Sequence, residues 1–298
     1  MDRLDAMSIL LAAVEGGSFS AASRKLGVPL ATVSRKVSQL ETHLGTRLIN
    51  RTSRQLILTE PGHSYIVACK QILESISEAE RAATGEFVIP KGDLTITAPV
   101  VFARLYLLPV VLEFLKAHPD IDVRLVLSDQ LVNLQENHID LAVRISELAD
   151  SNLVATRIGA VRRVVCGSPS YFSERGRPKA PRDLSEHDCI SSRFGGLASS
   201  NVWVFATGKT KAAVTVHSRL VGNADSAVAA AVAGFGITRL LSFHVADHVR
   251  KGALICVLKE FESPAVPVSL VYAGQGLVPL KVRAFIDFAA PRLKMRLS

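Results

Sequence analysis

Apolar residues recur at helical spacing through the first part of the chain, in short blocks punctuated by glycine. Leu4, Met7, Leu11 and Val14 lie three or four apart and predict a helix from about Asp2 to Val14, ended by Gly16-Gly17. Ser18 can cap the amides of the next turn, so a short second helix is expected to reach Leu26 and stop at Gly27. Val28-Pro29 makes a turn. A third helix, about Leu30 to Leu44, places Val33, Val37, Leu40 and Leu44 inward before Gly45. Two apolar runs, Leu48-Ile49 and Leu56-Ile57-Leu58, then flank a polar turn at 50–55 and predict a β-hairpin.

From Pro61 to about Thr84 the pattern lengthens. Tyr65, Cys69, Ile72, Ile76, Ala79 and Ala83 are spaced four, three, four, three, four, which is a heptad seam on one long helix. A narrow seam on an isolated helix calls for a partner, and a second copy of the same helix is the expected one.

After Gly92 short strand-like and helix-like segments alternate. Strands are expected at Asp93–Ala98, Val123–Leu127, Leu141–Ile145, Val164–Cys166 and Val268–Tyr272. Helices are expected at Leu107–Lys116, Val132–Asn137, Ala224–Ala233 and Leu280–Phe288. Such alternation predicts mostly parallel sheets, which take ligands at the carboxyl ends of their strands. The expected fold class is α/β overall.

Composition adds location and charge. The 298 residues are 48% hydrophobic and 21% charged, with a mean hydropathy of +0.28, which excludes disorder and suits two or three packed domains. Met1-Asp2-Arg3 opens an amphipathic segment, so no signal peptide is expected, and the apolar run Ala227 to Ile237 is too short for a bilayer. Four scattered cysteines without a CxxC pair fit free thiols in the cytoplasm. The net charge is +8. Between Arg24 and Arg54 stand seven basic residues against one acid, Glu41, and Arg51 and Arg54 fall at the hairpin tip.

Helix, tight turn, helix is the geometry that lays a second helix in a major groove. On that helix Thr32, Ser34, Arg35, Lys36, Ser38 and Gln39 occupy the face opposite the apolar stripe, and hydroxyls and flexible donors are the groups that read bases and hold phosphates. A basic hairpin beside such a unit is a wing, placed to touch phosphate or a minor groove.

Catalytic and metal motifs are not found in the sequence. His244, Asp247 and His248 have zinc-compatible spacing but lack a third distant ligand. Gly234-Phe235-Gly236 lacks the rest of a dinucleotide fingerprint, and there is no GxSxG or phosphate loop. Trp203 and Phe205 read as core. No enzyme activity, cofactor or metal is expected; an α/β enzyme and an exported solute-binding protein are the two rival classes.

Phe19-Ser20-Ala21-Ala22 with Leu26, Val33-Ser34-Arg35-Lys36-Val37 with Leu40-Glu41, Leu44-Gly45 with Leu48, and Arg51-Thr52 with Leu58-Thr59 and Gly62 resemble the DNA-binding domain of LysR-type transcriptional regulators, with the spacing kept throughout. The resemblance implies a winged helix-turn-helix over 1–59, a linker and dimerisation helix over 60–88, and an effector-binding domain over 89–298 similar to periplasmic binding proteins. Lobe one would hold about 91–163 and 267–298, lobe two about 164–266. It implies double-stranded DNA with an inverted-repeat promoter site as partner, a homodimer or homotetramer, RNA polymerase as a further partner, and no membrane.

The resemblance assigns DNA contacts to Ser20, Ala21, Ser23, Pro29, Leu30, Ala31, Thr32, Ser34, Arg35, Lys36, Gln39, Arg51, Thr52 and Arg54. It departs from the family where Pro29 replaces a Ser or Thr cap and Ile49 a Phe. Effector-site candidates at strand ends are Pro99, Val100, Val101, Phe102, Arg144, Ser146, Ser192, Phe194, Asn223 and Thr238. The effector expected is a small organic acid or aromatic compound, with Arg144 as a carboxylate clamp. Family members often carry hydroxyls after the first strand of this domain. Here Val100-Val101-Phe102 is apolar, which implies a more apolar ligand or an altered pose.

Overall fold

A computed structural model describes residues 2–51, 56–84, 89–147, 153–192, 201–207, 210–274 and 278–297. The chain divides into two compact units, Met1–Ile89 and Pro90–Ser298.

The first unit begins with α1 (Arg3–Glu15), α2 (Phe19–Leu26) and α3 (Leu30–Leu44). Asp2 caps α1 through its side chain, and the Ser18 hydroxyl accepts from the Ala21 amide at 3.1 Å, as its position predicts. Gly27 and Gly45 take φ of 66° and 68° at the ends of α2 and α3, a conformation that costs a Cβ-bearing residue 1–2 kcal/mol, roughly.

The core face of α1 differs from the expected one. Ala6, Ile9, Leu10 and Ala13 are buried, whereas Leu4 is 41% exposed and Met7, Leu11 and Val14 are half-buried. Alanines let α2 and α3 approach closely, and Ala22, Val33, Val37 and Leu40 fill that contact. Leu44, expected inward, is exposed.

Strands β1 (Ile49–Arg51) and β2 (Leu56–Leu58) pair antiparallel as the wing. Glu41, the acid in the basic stretch, accepts from the Leu48 and Ile49 amides at 2.9 and 3.1 Å. It therefore anchors the wing to α3. Helix α4 (Glu60–Thr84) follows. Its first turns pack onto this unit: Ile66 is buried, Tyr65 lies against the same core, and Cys69 is fully buried. This corrects the expectation of one continuous open seam. The open part starts at Ile72, which is 41% exposed, and continues through Ile76 and Ala79.

The second unit holds two five-stranded sheets. The first has the order β4-β3-β5-β14-β6, from β3 (Gly92–Ala98), β4 (Ile121–Leu127), β5 (Leu141–Ile145), β6 (Leu153–Val161) and β14 (Val266–Ala273). The second has the order β11-β8-β12-β7-β13, from β7 (Arg163–Gly167), β8 (Cys189–Ser192), β11 (Ser218–Gly222), β12 (Ile237–Leu241) and β13 (Ile255–Val257). A hairpin, β9 (Val202–Thr207) with β10 (Thr210–Thr215), lies outside both sheets.

Mostly parallel sheets were the expectation, and both sheets are mixed. Strand β3 is parallel to β4 and β5, but β14 is antiparallel to β5 and β6. Strand β8 is parallel to β11 and β12, but β7 is antiparallel to β12 and β13. The chain crosses between the sheets twice, at 161–163 and 258–266, and strands that return from the other lobe enter reversed.

Helix α5 (Val100–Phe102), a π-turn Ala103–Leu107, and α6 (Leu108–Ala117) cover the first sheet together with α10 (Leu280–Leu297). α10 runs past Phe288, where its end was expected. Helices α8 (Ala224–Val232) and α9 (Ser242–Arg250) cover one face of the second sheet. The other face carries α7 (Pro169–Arg175), Trp203 and Phe205. The expected helix Val132–Asn137 is a turn, with Asn133 accepting from the Gln135 amide and His138 at φ 50°. Among the described residues no single helix is long and apolar enough to cross a membrane.

Gly62 tests how tightly α4 is joined to the wing. A Cβ there would sit 2.0 Å from the Leu48 carbonyl oxygen, a backbone atom. Gly62→Ala is expected to destabilise the first unit by about 1–3 kcal/mol, read as a lower denaturant midpoint with an unchanged m-value.

Candidate DNA-reading and effector sites

α3 is held by Val33, Val37 and Leu40, which leaves its other side open from the first turn onward. Pro29, Leu30, Ala31, Arg35 and Gln39 are exposed, and Thr32 and Ser34 are half-exposed beside them. Leu30 is 49% exposed, an apolar group at the tip of the helix. Pro29 occupies the cap and offers no side-chain hydrogen bond. From α2, Ser20 is exposed and Ala21 half-buried.

Two expected contacts are engaged elsewhere. Lys36 turns back to α1, with its ammonium 2.7 Å from Asp5 and only 21% of its side chain exposed. The Ser23 hydroxyl donates to the Val28 carbonyl at 2.6 Å and closes the turn between the helices. The Arg35 side chain has no ion pair or hydrogen bond among the described residues, which leaves its guanidinium available. Arg51 ends β1, and Thr52 and Arg54 lie outside the described residues.

In the second unit the carboxyl ends of β3, β4 and β5 share one edge of the first sheet. Pro99, Val100 and Ser146 stand there. The Val100 amide donates to Asp129 Oδ1 at 3.1 Å, so the acid after β4 fixes the start of α5. Sequence reasoning missed Asp129, although its place just beyond a strand end is the signal that could have found it. Ser192 and Asn223 stand at the parallel ends of β8 and β11, and Asn223 caps α8 by accepting from the Ser226 amide at 2.9 Å.

Three effector candidates are corrected. Phe102 is fully buried, with its ring 5.0 Å from Tyr106 and 5.8 Å from Phe243. Thr238 is also fully buried and donates to the Ile190 carbonyl at 3.1 Å across the sheet. Arg144 gives a guanidinium N–H to the Val132 carbonyl and so holds the 132–139 turn. Burial also holds its pKa below the usual arginine range. Phe194 lies outside the described residues.

A cavity of about 960 Å³ opens between the two lobes. Val101, Arg104, Leu105 and Tyr106 form one wall, Asp225, Val228 and Val232 of α8 a second, and Phe243, His244 and Asp247 of α9 a third. His244 Nδ1 is buried without a hydrogen-bond partner. Burial pulls its pKa down to about 4, with the Asp129 and Asp225 carboxylates acting in the opposite direction. Asp247 is taken up by Arg250 and Lys251 at 2.5 and 2.6 Å. Among the described residues no cluster of three metal-ligating side chains forms.

His244 sets a pH dependence. It is neutral in the folded protein at pH 7, whereas an unfolded histidine takes up its proton near pH 6.5. The unfolded chain therefore binds more protons between about 6.5 and 4, and stability falls as the pH drops through that window. His244→Gln is expected to flatten the decline in melting temperature from pH 7 to pH 5, measured with the two proteins side by side.

The profile described as "Bacterial regulatory helix-turn-helix protein, lysR family" matches residues 4–63, and that described as "LysR substrate binding domain" matches residues 89–294. The chain is 35% identical over 289 residues to the HTH-type transcriptional repressor PA14_22550 of Pseudomonas aeruginosa, covering 97% of this chain and 91% of that protein. Among solved structures, CrgA of Neisseria meningitidis aligns with a TM-score of 0.61 at 32% identity, over 97% of this chain and 98% of that one. The Vibrio cholerae virulence activator AphB aligns at 0.60 with 28% identity, over 96% and 98%. With its helix-turn-helix head and its two-lobed ligand domain both accounted for, the chain belongs to the LysR family and is a DNA-binding transcriptional regulator rather than an enzyme.

Proposed function

We propose that the open face of α3 reads a promoter site and that a small molecule at the facing strand ends of residues 90–298 controls the reading. The observation that carries this is the division of α3: Val33, Val37 and Leu40 are wholly buried while Leu30, Ala31, Arg35 and Gln39 are exposed. Leu30 and Ala31 suit thymine methyl groups, Arg35 a guanine edge or a phosphate, and Thr32 and Ser34 either base or phosphate. Ser20 and Ala21 lie at the start of the preceding helix, and Arg51, Thr52 and Arg54 complete the contact from the wing.

Residues 1–59 act as the DNA-binding domain, 60–88 as the pairing helix and 89–298 as the effector domain. The open stretch of α4 at Ile72, Ile76 and Ala79 pairs with a second copy. So do the apolar edges of the second unit, where β4 exposes Val126 and Leu127 and β11 exposes Leu220 and Val221. A homodimer or homotetramer then sets two α3 helices about 34 Å apart on an inverted repeat, in the cytoplasm and within reach of RNA polymerase. The effector rests on Pro99, Val100, Val101, Ser146, Ser192 and Asn223. Its class is an organic acid or an aromatic compound, which an apolar Val100-Val101 end and the uncommitted Arg104 both suit.

Footprinting the protein on its own upstream DNA tests the reading. Arg35→Ala is expected to weaken specific binding by about 1–3 kcal/mol and to relax sequence preference. Lys36→Met is expected to leave the footprint in place, since Lys36 serves Asp5 instead. No protected fragment at moderate salt, or equal footprints for wild type and Arg35→Ala, overturns the assignment.

A further inference from the structure

Arg163 begins β7 and Arg239 sits in the middle of β12. The register pairs Arg163 with Leu241 and Val165 with Arg239. Side chains two residues apart on a strand share a face, so the two arginines are diagonal neighbours on one face of the second sheet. Val165 of the same row lies in the core beneath α7 and the β9–β10 hairpin. Both arginines are half-buried.

Two like charges at such a place normally share a carboxylate, since burying an unpaired charge is costly. None is there. Among the described residues neither Arg163 nor Arg239 makes an ion pair. Arg162, beside them, pairs with Glu262 at 3.2 Å. Arg239 is nonetheless held in place: it donates to the Val204 carbonyl and its guanidinium lies 5.1 Å from the Phe205 ring centroid. The Arg163 guanidinium has no hydrogen-bond partner among the described residues. Burial and then the Arg163 charge pull the Arg239 pKa down to about 10, as expected for neighbouring cations without an anion. Arg163 stands opposite the last residue of β12 and next to the 161–163 crossing, so it lies at the end of the second sheet where the chain enters from the first, with Arg239 one diagonal step further in on the α7 face.

We infer that Arg163 and Arg239 form a site for an oxyanion, which they hold between two guanidinium forks. A carboxylate of a small organic acid offers two coplanar acceptors and matches one fork directly, and sulfate or phosphate offers the same acceptors in a tetrahedron. The shared requirement is a compact anion with at least two oxygens. This rests on the reading of residues 90–298 as a ligand-binding domain and adds to it an anion subsite on the α7 face of the second sheet. No DNA is needed to observe it, so its failure and that of the promoter reading are separate.

The experiment is a thermal-shift titration of the full-length protein at constant ionic strength, with sulfate, phosphate, benzoate or succinate replacing chloride. The wild type is expected to show a saturable rise in melting temperature with at least one of these anions, and the preferred one identifies inorganic anion or carboxylate as the source. Arg163→Gln and Arg239→Gln are expected to weaken that binding at least about tenfold, the size of a lost hydrogen bond to a charged group. Without anion, Arg163→Gln is expected to melt at or above the wild-type temperature, because it removes one of two like charges. Should Arg239→Gln unfold after losing its bond to Val204, Arg163→Gln still decides. The inference is overturned if no anion gives a saturable rise, if wild type and Arg163→Gln titrate alike, or if Arg163→Gln without anion melts well below wild type.

Discussion

A helix can turn a polar face toward a nucleic acid only when its opposite face is fixed, and here that fixing is the contact of Val33, Val37 and Leu40 with the alanine-rich side of α1. The contact is close because Ala6, Ala13 and Ala22 add almost no bulk between the helices. It sets the rotation of α3, and the rotation decides which side chains are available. Lys36 falls on the flank and finds Asp5, while Arg35, one residue earlier, is left free. Glu41 extends the same logic to the wing, because it is tied to the amides at the start of β1. The reading surface is thus a by-product of a hydrophobic registration made on its hidden side.

The head was legible in the sequence because its signals are local. Ser18, Gly27 and Gly45 mark helix ends by their own chemistry, and the spacing of Val33, Val37 and Leu40 gives the buried face directly. Two assignments there misread pairwise geometry: Lys36 and Ser23 are the right residue types in the right stretch, but each has a neighbour in space that satisfies it. The misassigned face of α1 has a different cause. The stripe Leu4, Met7, Leu11 and Val14 sets one face, while the real contact turns Ile9 and Leu10 inward between alanines, which contribute little to a hydrophobic pattern.

The second unit was less legible because strand direction is a long-range property. Short apolar runs showed where strands lie, yet nothing near Val268 signals that β14 runs against β5. Burial of Phe102 depends on Phe243, and that of Thr238 on the neighbouring strand β8, both far along the chain. Arg144 sat at the predicted strand end with the predicted charge, but the turn it supports at Val132 was read as a helix, so its partner was not foreseen. The Arg163 and Arg239 pair escaped for the same reason: 76 positions separate them, and only the β7–β12 register makes them neighbours.

The way α4 leaves the head has a mechanical consequence. Its first turns are clamped by Ile66, Cys69 and the close approach at Gly62, whereas the stretch from Ile72 onward is open. A 25-residue helix is roughly 37 Å long. Clamped at one end, it acts as a stiff tiller: a swing of about 10° moves the free end by roughly 6 Å over that length. Displacement applied at the far tip therefore arrives at α3 as a change of heading, and the angle between two such heads follows wherever their tillers are steered.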